Sequence, residues 1–326
     1  MRSWGWIAVT LAALPGGPVL AQEPPLAVVA TVGMIGDIAQ EIGGPCVAVT
    51  TLMGAGVDPH LYRASAQDVR TFQGAEVILY SGYSLEGQLG DVLERLAAQK
   101  PTVAVVETGV PPEDLIATGN SYGHDPHVWM DVSLWSRIVP VIADTIIAQR
   151  PGCAEAVSEN AAHYSEQLAA LDTWIGDSVA TIPETQRVLV TAHDAFAYYG
   201  RAYGIDVAGI QGISTEAEAS IADIRATAQQ LVAAGIPAIF VETTINPRTI
   251  QAVIDAAAQQ GHAVAIGGEL YSDAMGDAGT AEGTYIGMLH ANTLAIVGGL
   301  GGTPLPLPDE LAGWAERFGL EPEAQP

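Results

Sequence analysis

One tripeptide occurs twice in this chain. Asp58-Pro59-His60 stands within Met53-Gly-Ala-Gly-Val-Asp-Pro-His-Leu-Tyr62, and Asp125-Pro126-His127 within Gly123-His-Asp-Pro-His-Val-Trp-Met-Asp131. Proline fixes its own φ and pushes the preceding Asp into an extended conformation, so each histidine is presented from a stiff, non-helical corner. An imidazole held in this way loses little entropy when it binds a metal ion. One such corner reads as an ordinary turn with a surface histidine. Two copies among only seven histidines point to a shared site. Two further candidates sit where strands are expected to end: His193 in Val190-Thr-Ala-His-Asp-Ala-Phe196, and Asp273 in Gly267-Gly-Glu-Leu-Tyr-Ser-Asp-Ala-Met275. Three imidazoles and a carboxylate would complete the coordination of a borderline d-block ion.

These residues need a scaffold that brings them together. Leu26 to Val32, Val47 to Met53, Val77 to Ser81 and Val103 to Glu107 are short apolar runs rich in β-branched residues. Helical spacing falls between them, around residues 35–42, 64–73 and 85–98, and again over 131–149 with Asp131 as N-cap. Strands alternating with helices predict a parallel sheet with helices on both faces. The same alternation returns after Pro183, with strands over 187–191, 206–210, 238–241 and 263–266, and helices over 195–203, 219–234, 247–260 and 284–297. Between the halves, Val157, Ala161, Tyr164, Leu168, Leu171, Ile175, Val179 and Ile182 recur at spacings of three and four, one apolar stripe on a long helix. Some 26 helical residues would reach ~40 Å at 1.5 Å per residue.

The predicted architecture is therefore α/β: two lobes, each a parallel four-stranded sheet flanked by helices, joined by one long rigid helix. Its expected divisions are a signal peptide over 1–21, a first lobe over 22–153, the linking helix over 154–182, a second lobe over 183–304 and a loosely packed tail over 305–326. Ligands bind beyond the carboxyl ends of parallel strands. Two lobes facing across a cleft would bring His60 and His127 from one side and His193 and Asp273 from the other.

Other residues are weaker candidates than this quartet. Glu269 and Asp277 flank Asp273 and could replace it; Asp194 and Asp131 could orient ligands from behind. His163 reads as a solvated helix residue, His262 as a cation at a helix end, His124 as a loop histidine close enough to serve as a spare ligand. His290 lies on a late helix with no evident partner. Gly33-Met-Ile-Gly36 and Gly54-Ala-Gly56 lack the spacing and the lysine of a phosphate loop.

Charge and length narrow the classes. Twelve Lys plus Arg against 37 Asp plus Glu give a net charge of −25 over 326 residues, which argues against nucleic acid and anionic membrane surfaces. Arg2, the apolar stretch from Trp4 to Leu14, and Val19-Leu20-Ala21 read as a secretory signal, with cleavage expected after Ala21. No cysteine follows that point to carry a lipid, and no later segment is expected to span a membrane. The mature chain is expected to be soluble and exported. The two cysteines, Cys46 and Cys153, are expected to form one disulfide at the end of the first lobe away from the metal.

Four motifs in order, Gly54-Ala-Gly-Val-Asp-Pro-His-Leu-Tyr62, Asp125-Pro-His-Val-Trp-Met-Asp131, Thr191-Ala-His-Asp-Ala-Phe196 and Gly267-Gly-Glu-Leu-Tyr-Ser-Asp-Ala-Met-Gly-Asp-Ala-Gly279, closely resemble the metal-binding periplasmic receptors of zinc and manganese ABC transporters, the TroA-like group. The resemblance covers nearly the whole mature chain. It implies two lobes on one long helix, with a metal buried between them on His60, His127, His193 and Asp273. It also implies a periplasmic monomer that carries Zn²⁺ or Mn²⁺ as transported ligand to a membrane permease. Manganese-specific relatives often have Glu where His193 stands, and many zinc-specific ones have a His-rich loop where Val110 to Gly123 contains none, so the sequence matches neither subtype fully. A rigid linking helix implies small lobe rotations, with release by movement of a ligand loop when the permease docks.

Two rivals come from other classes. A zinc hydrolase needs an open coordination position and a nearby base, whereas four ligands already close a tetrahedron and no His-Glu-x-x-His pattern exists. A metal-independent surface or adhesion protein would show no binding in equilibrium dialysis. Both ions are expected to bind, Zn²⁺ more tightly because the donors are nitrogen-rich, with affinity falling below pH ~6 as free imidazoles protonate.

Overall fold

The computed structural model describes residues 23–119 and 123–320; the expected signal peptide, residues 1–21, lies outside them. The first half runs β1 (Leu26–Val32), α1 (Gly33–Gly43), β2 (Val47–Met53), α2 (Ala66–Gly74), β3 (Val77–Tyr80), α3 (Gly90–Ala97), β4 (Thr102–Ala104), α4 (Val105–Gly109), α5 (Val132–Trp135) and α6 (Ile138–Gln149). Its strands form one parallel sheet in the order β2-β1-β3-β4. The central strand β1 is buried on both faces, as its unbroken apolar sequence Leu-Ala-Val-Val-Ala-Thr-Val requires.

Helix α7 (Ala154–Val179) follows, 26 residues long, with the expected stripe turned inward: Val157, Tyr164, Leu168, Leu171, Ile175 and Val179 are buried. It packs on α1 and α6 of the first half. The second half comprises β5 (Val188–His193), α8 (Ala197–Tyr203), β6 (Asp206–Gln211), α9 (Ile221–Ala234), β7 (Ala238–Glu242), α10 (Arg248–Ala258), β8 (Ala265–Leu270), α11 (Tyr285–Gly299) and α12 (Ala312–Arg317). Helices α8 and α11 cover the other flank of α7. The four strands form two parallel ladders, β5-β6 and β7-β8, with β5 beside β7. At the carboxyl ends of β5 and β7 a side chain replaces the ladder: the backbone N–H of His193 donates to the Glu242 carboxylate (2.8 Å).

One hydrophobic core runs through both halves, from Leu26 and Ile78 through Leu168 and Leu171 to Phe196, Leu289 and Trp314. A smaller core lies under α9 and α10, around Leu231, Ile239 and Val253. The Cys46–Cys153 disulfide is present, closing 107 residues between the start of β2 and the start of α7.

Several local expectations need correction. Val105 to Glu107 read as strand but form the start of α4, because Val105 and Val106 turn inward to pack where α4 meets α6. The helix expected over 131–149 is broken between α5 and α6, with Asp131 capping α5 (Leu134 N–H to Oδ1, 3.1 Å). Contrary to expectation, Val132–Gln149 has the length and mean hydropathy, 1.2, of a membrane span. Its apolarity belongs to a core face, since Ile138, Val139, Ile142 and Ile146 are buried. Nor are residues 305–320 of the expected tail loose: Leu311 and Trp314 are buried, the Trp174 indole donates to the Leu305 carbonyl (2.8 Å), and the Trp314 indole donates to the Thr284 hydroxyl (3.0 Å).

Candidate metal centre

The two Asp-Pro-His corners use the same local device. Asp58 Oδ1 accepts the backbone N–H of His60 (2.8 Å), and Asp125 Oδ1 accepts that of His127 (2.9 Å). Each aspartate thus closes a side-chain-to-backbone turn two residues ahead, with proline stiffening the middle. Asp58 also accepts the Thr215 hydroxyl from the second half (2.5 Å). His193 is the last residue of β5, and Asp273 lies three residues beyond β8. Gly209 on β6 lets the chain leave β5 tightly: a Cβ there would come within 2.5 Å of the Asp194 nitrogen.

The structure brings His60, His127, His193 and Asp273 together, one nitrogen or oxygen from each lying within 4.8 Å of all the others. All four are buried, at 2%, 0%, 0% and 1% exposure. His127 Nε2 is 3.2 Å from His60 Nε2 and 3.3 Å from Asp273 Oδ1; Asp273 Oδ2 is 3.3 Å from His193 Nε2 and 3.8 Å from His60 Nε2.

Two carboxylates behind the rings decide which nitrogens face inward. His127 Nδ1–H donates to Asp125 (2.7 Å) and His193 Nδ1–H to Glu242 (2.5 Å). A carboxylate only accepts, so in the neutral ring the proton sits on Nδ1 and the Nε2 lone pair is left for a cation. Burial alone would pull both rings down. Asp125 and Asp273 outweigh it at His127, raising it to about 9, and Glu242 with Asp273 raises His193. At His60 burial wins and the ring falls to about 4. Burial would raise Asp273, but His193, His127 and His60 hold it well below the usual carboxylate range.

Both Asp273 oxygens and His193 Nε2 are buried without a hydrogen-bond partner. Buried polar atoms are rarely left so, and a divalent cation among them would satisfy all three. The donor set of three imidazoles and one carboxylate fits such an ion.

The residues expected to orient the rings do not do so. Asp131 caps α5 and faces Arg201 (3.6 Å), and Asp194, half-buried nearby, takes neither ring proton. Asp125 and Glu242 hold those places. Asp125 was visible as the first residue of its Asp-Pro-His motif; Glu242 carried only the weaker signal of an acid ending a strand. Glu269 and Asp277 are exposed and outside the group. His163 is exposed, His124 lies edge-on to Tyr83 (5.4 Å between centroids), and His262 Nε2 lies 2.8 Å from the Ile236 carbonyl. His290, left without a partner by the sequence, lies between Trp174 and Trp314 (5.1 and 5.7 Å), where burial lowers it to about 4.

Fold and donor set together define an α/β metal-binding protein with its site between two parallel-sheet halves. Residues 28–299 match the family model for ZnuA, zinc-uptake complex component A, periplasmic, and the chain belongs to that family. It is 47% identical over 267 residues to the manganese-binding lipoprotein MntA of Bacillus subtilis, covering 82% of this chain and 87% of that protein. It is 44% identical over 273 residues to the zinc-binding protein TroA of Treponema pallidum, covering 84% and 88%. The solved structure of that periplasmic zinc-binding TroA superposes with a TM-score of 0.82 at 43% identity, covering 85% of this chain and 99% of the other. The Fe(III)-bound YtgA of Chlamydia trachomatis superposes with a TM-score of 0.77 at 26% identity, covering 86% and 99%.

Proposed function

We propose that this protein is the substrate-binding receptor of a metal ABC transporter, capturing Zn²⁺ or Mn²⁺ outside the cytoplasm and delivering it to a membrane permease. The ion is cargo, held by His60, His127, His193 and Asp273. The observation that carries this reading is the convergence of those four buried side chains, with both Asp273 oxygens unsatisfied by any hydrogen bond. Support comes also from the relatives, named for manganese in one case and zinc in another.

Residues 22–153 and 183–304 act as two lobes, α7 as the link between them, and residues 1–21 as a leader that is removed. The mature receptor works as a single chain. It does no chemistry on the ion: three imidazoles and a carboxylate supply the four donors of a closed site, whereas a catalytic zinc needs an open position and a nearby base. Capture replaces the ion's water shell by lone pairs that Asp125 and Glu242 have already aimed. Because one core passes through both halves and α7, release favours movement of a ligand loop over wide hinge opening. Such a movement would break the bond from the Thr215 hydroxyl to Asp58, which reaches from the β6–α9 loop to the corner that carries His60.

Metal analysis of the protein taken from its native envelope, without chelators or affinity resin, tests the reading. One zinc or manganese per chain is expected. Protein that is metal-free, and stays so on dialysis against both ions, overturns it.

A further inference from the structure

The segment that carries Asp273 is held by buried side chains from several elements. Asn292 of α11 takes both backbone polar groups of Tyr271: its Oδ1 accepts the N–H and its Nδ2 donates to the carbonyl, each at 2.8 Å. The Ser272 hydroxyl pairs with Thr244, just beyond β7 (3.2 Å). These contacts fix residues 271–273 within their own half.

A further contact crosses to the other half. Trp129, two residues after His127, donates its indole N–H to the Ser272 carbonyl (2.8 Å). The Trp129 carbonyl in turn accepts the Tyr285 phenol O–H (2.8 Å), and the Tyr285 backbone N–H is held by Asp37 of α1 (2.9 Å). Trp129, Ser272 and Tyr285 have no solvent exposure. The Trp129 ring also lies edge-on to His127, with centroids 5.2 Å apart. One side chain thus touches the ring of His127 and the residue before Asp273.

We propose that Trp129, seated by Tyr285, is the positioning residue that sets Asp273 against His127 and so fixes the coordination number offered to the ion. This rests on the metal-receptor reading above. Asp273 turns one oxygen toward His127 and the other toward His193, each 3.3 Å from an imidazole nitrogen. A carboxylate held in that attitude offers both oxygens to an ion at the centre, which makes five donors with the three imidazoles. Zinc is satisfied by four, whereas Mn²⁺ favours more ligands and more oxygen. Loss of the indole N–H leaves the Ser272 carbonyl buried and unpaired, so the segment shifts to find another donor. Asp273 then keeps one oxygen on the ion and withdraws the other. Manganese loses more from that change than zinc.

Trp129→Phe and Tyr285→Phe test this in competition titrations of Zn²⁺ and Mn²⁺ against the wild type. Substitutions behind metal ligands typically cost about 10–100-fold in affinity. Losses in that range are expected for Mn²⁺, with smaller losses for Zn²⁺, so the Zn²⁺:Mn²⁺ preference widens in both variants. The electron paramagnetic resonance spectrum of bound Mn²⁺ should change with it. The double variant should lose no more than Trp129→Phe alone, because Tyr285 acts through Trp129. Equal losses for the two ions, or none, overturn the proposal, whatever happens to thermal stability. Should Trp129→Phe fail to fold, Tyr285→Phe, which removes a single oxygen, decides by the same ratio. A wild type that holds neither ion overturns the receptor reading itself. A wild type that binds while both variants keep its preference overturns only the role of Trp129.

Discussion

Glu242 holds His193 twice: one carboxylate oxygen accepts the backbone N–H (2.8 Å) and the other accepts the ring Nδ1–H (2.5 Å). The first bond fixes where β5 ends and the second fixes which nitrogen faces Asp273. Glu242→Gln keeps the volume but offers one acceptor where two are needed. It should weaken zinc binding by about 10–100-fold, the usual cost of losing such a partner, without unfolding the chain. Competition titration against a chromophoric chelator measures this; unchanged affinity would show that packing alone orients His193.

Protons compete with the ion at two of the three rings. Asp125 and Asp273 outweigh burial to hold His127 up at about 9, and Glu242 and Asp273 raise His193. Affinity should therefore keep climbing with pH through neutrality toward about 9, rather than levelling off near the ~6.5 of a free imidazole. The fall below pH ~6 expected from free imidazoles leaves out both effects, the rise at His127 and His193 and the burial that lowers His60 to about 4. Calorimetry at pH 7 in buffers of different ionisation enthalpy should register proton release on binding, and a constant affinity between pH 6 and 8 would contradict it. The sign for stability is the reverse. A histidine raised above its unfolded value contributes stability fully below pH ~6.5, and that contribution is lost as pH rises through the folded value. Before metal is added, the melting temperature should fall between pH ~6.5 and about 9.

Zinc should bind more tightly than manganese, because three donors are imidazoles. Replacing His193 by Glu adds a hard oxygen donor, but Glu242 stands 2.5 Å from the ring it would replace. Two buried carboxylates there would repel each other and share a proton. His193→Glu alone should therefore weaken both ions, while His193→Glu with Glu242→Gln should narrow the gap between them. Parallel titrations of the two variants check this, and a single variant that already favours manganese would refute the repulsion.

The Cys46–Cys153 bond closes a loop of 107 residues. Replacing both cysteines by Ser should cost about 3–5 kcal/mol on loop-closure grounds, read by denaturant unfolding. Metal affinity should be unchanged, because Cys46 lies before β2 and His60 beyond its other end. A large loss of affinity would mean that the bond tunes the site from a distance.

How much could be read from sequence followed the range of the interactions. The Asp-Pro-His corners are set within three residues, so both could be picked out before any fold was known. His193 and Asp273 followed from strand ends, which hydrophobic pattern locates well. Glu242 did not, because its pairing with His193 depends on β5 lying beside β7, 49 residues away in sequence. Asp125 was in plain view, but only as the residue that proline holds extended, not as the partner of the ring. Val105 and Val106 carry strand propensity, and packing against α6 turns them into helix. The prolines after Gly301 suggested a loose tail, whereas Trp314 anchors it through Thr284, the N-cap of α11.

Equilibrium titration of chelator-stripped protein with Zn²⁺ and Mn²⁺, wild type beside Asp273→Ala, tests the central claim most directly. The wild type should bind one ion per chain. The variant should lose more than the roughly 10–100-fold that substitutions behind the ligands cost, because it removes the carboxylate whose two oxygens are otherwise without a hydrogen-bond partner. A wild type that binds neither ion, or an Asp273→Ala variant that binds as tightly as the wild type, would contradict a metal held between His60, His127, His193 and Asp273.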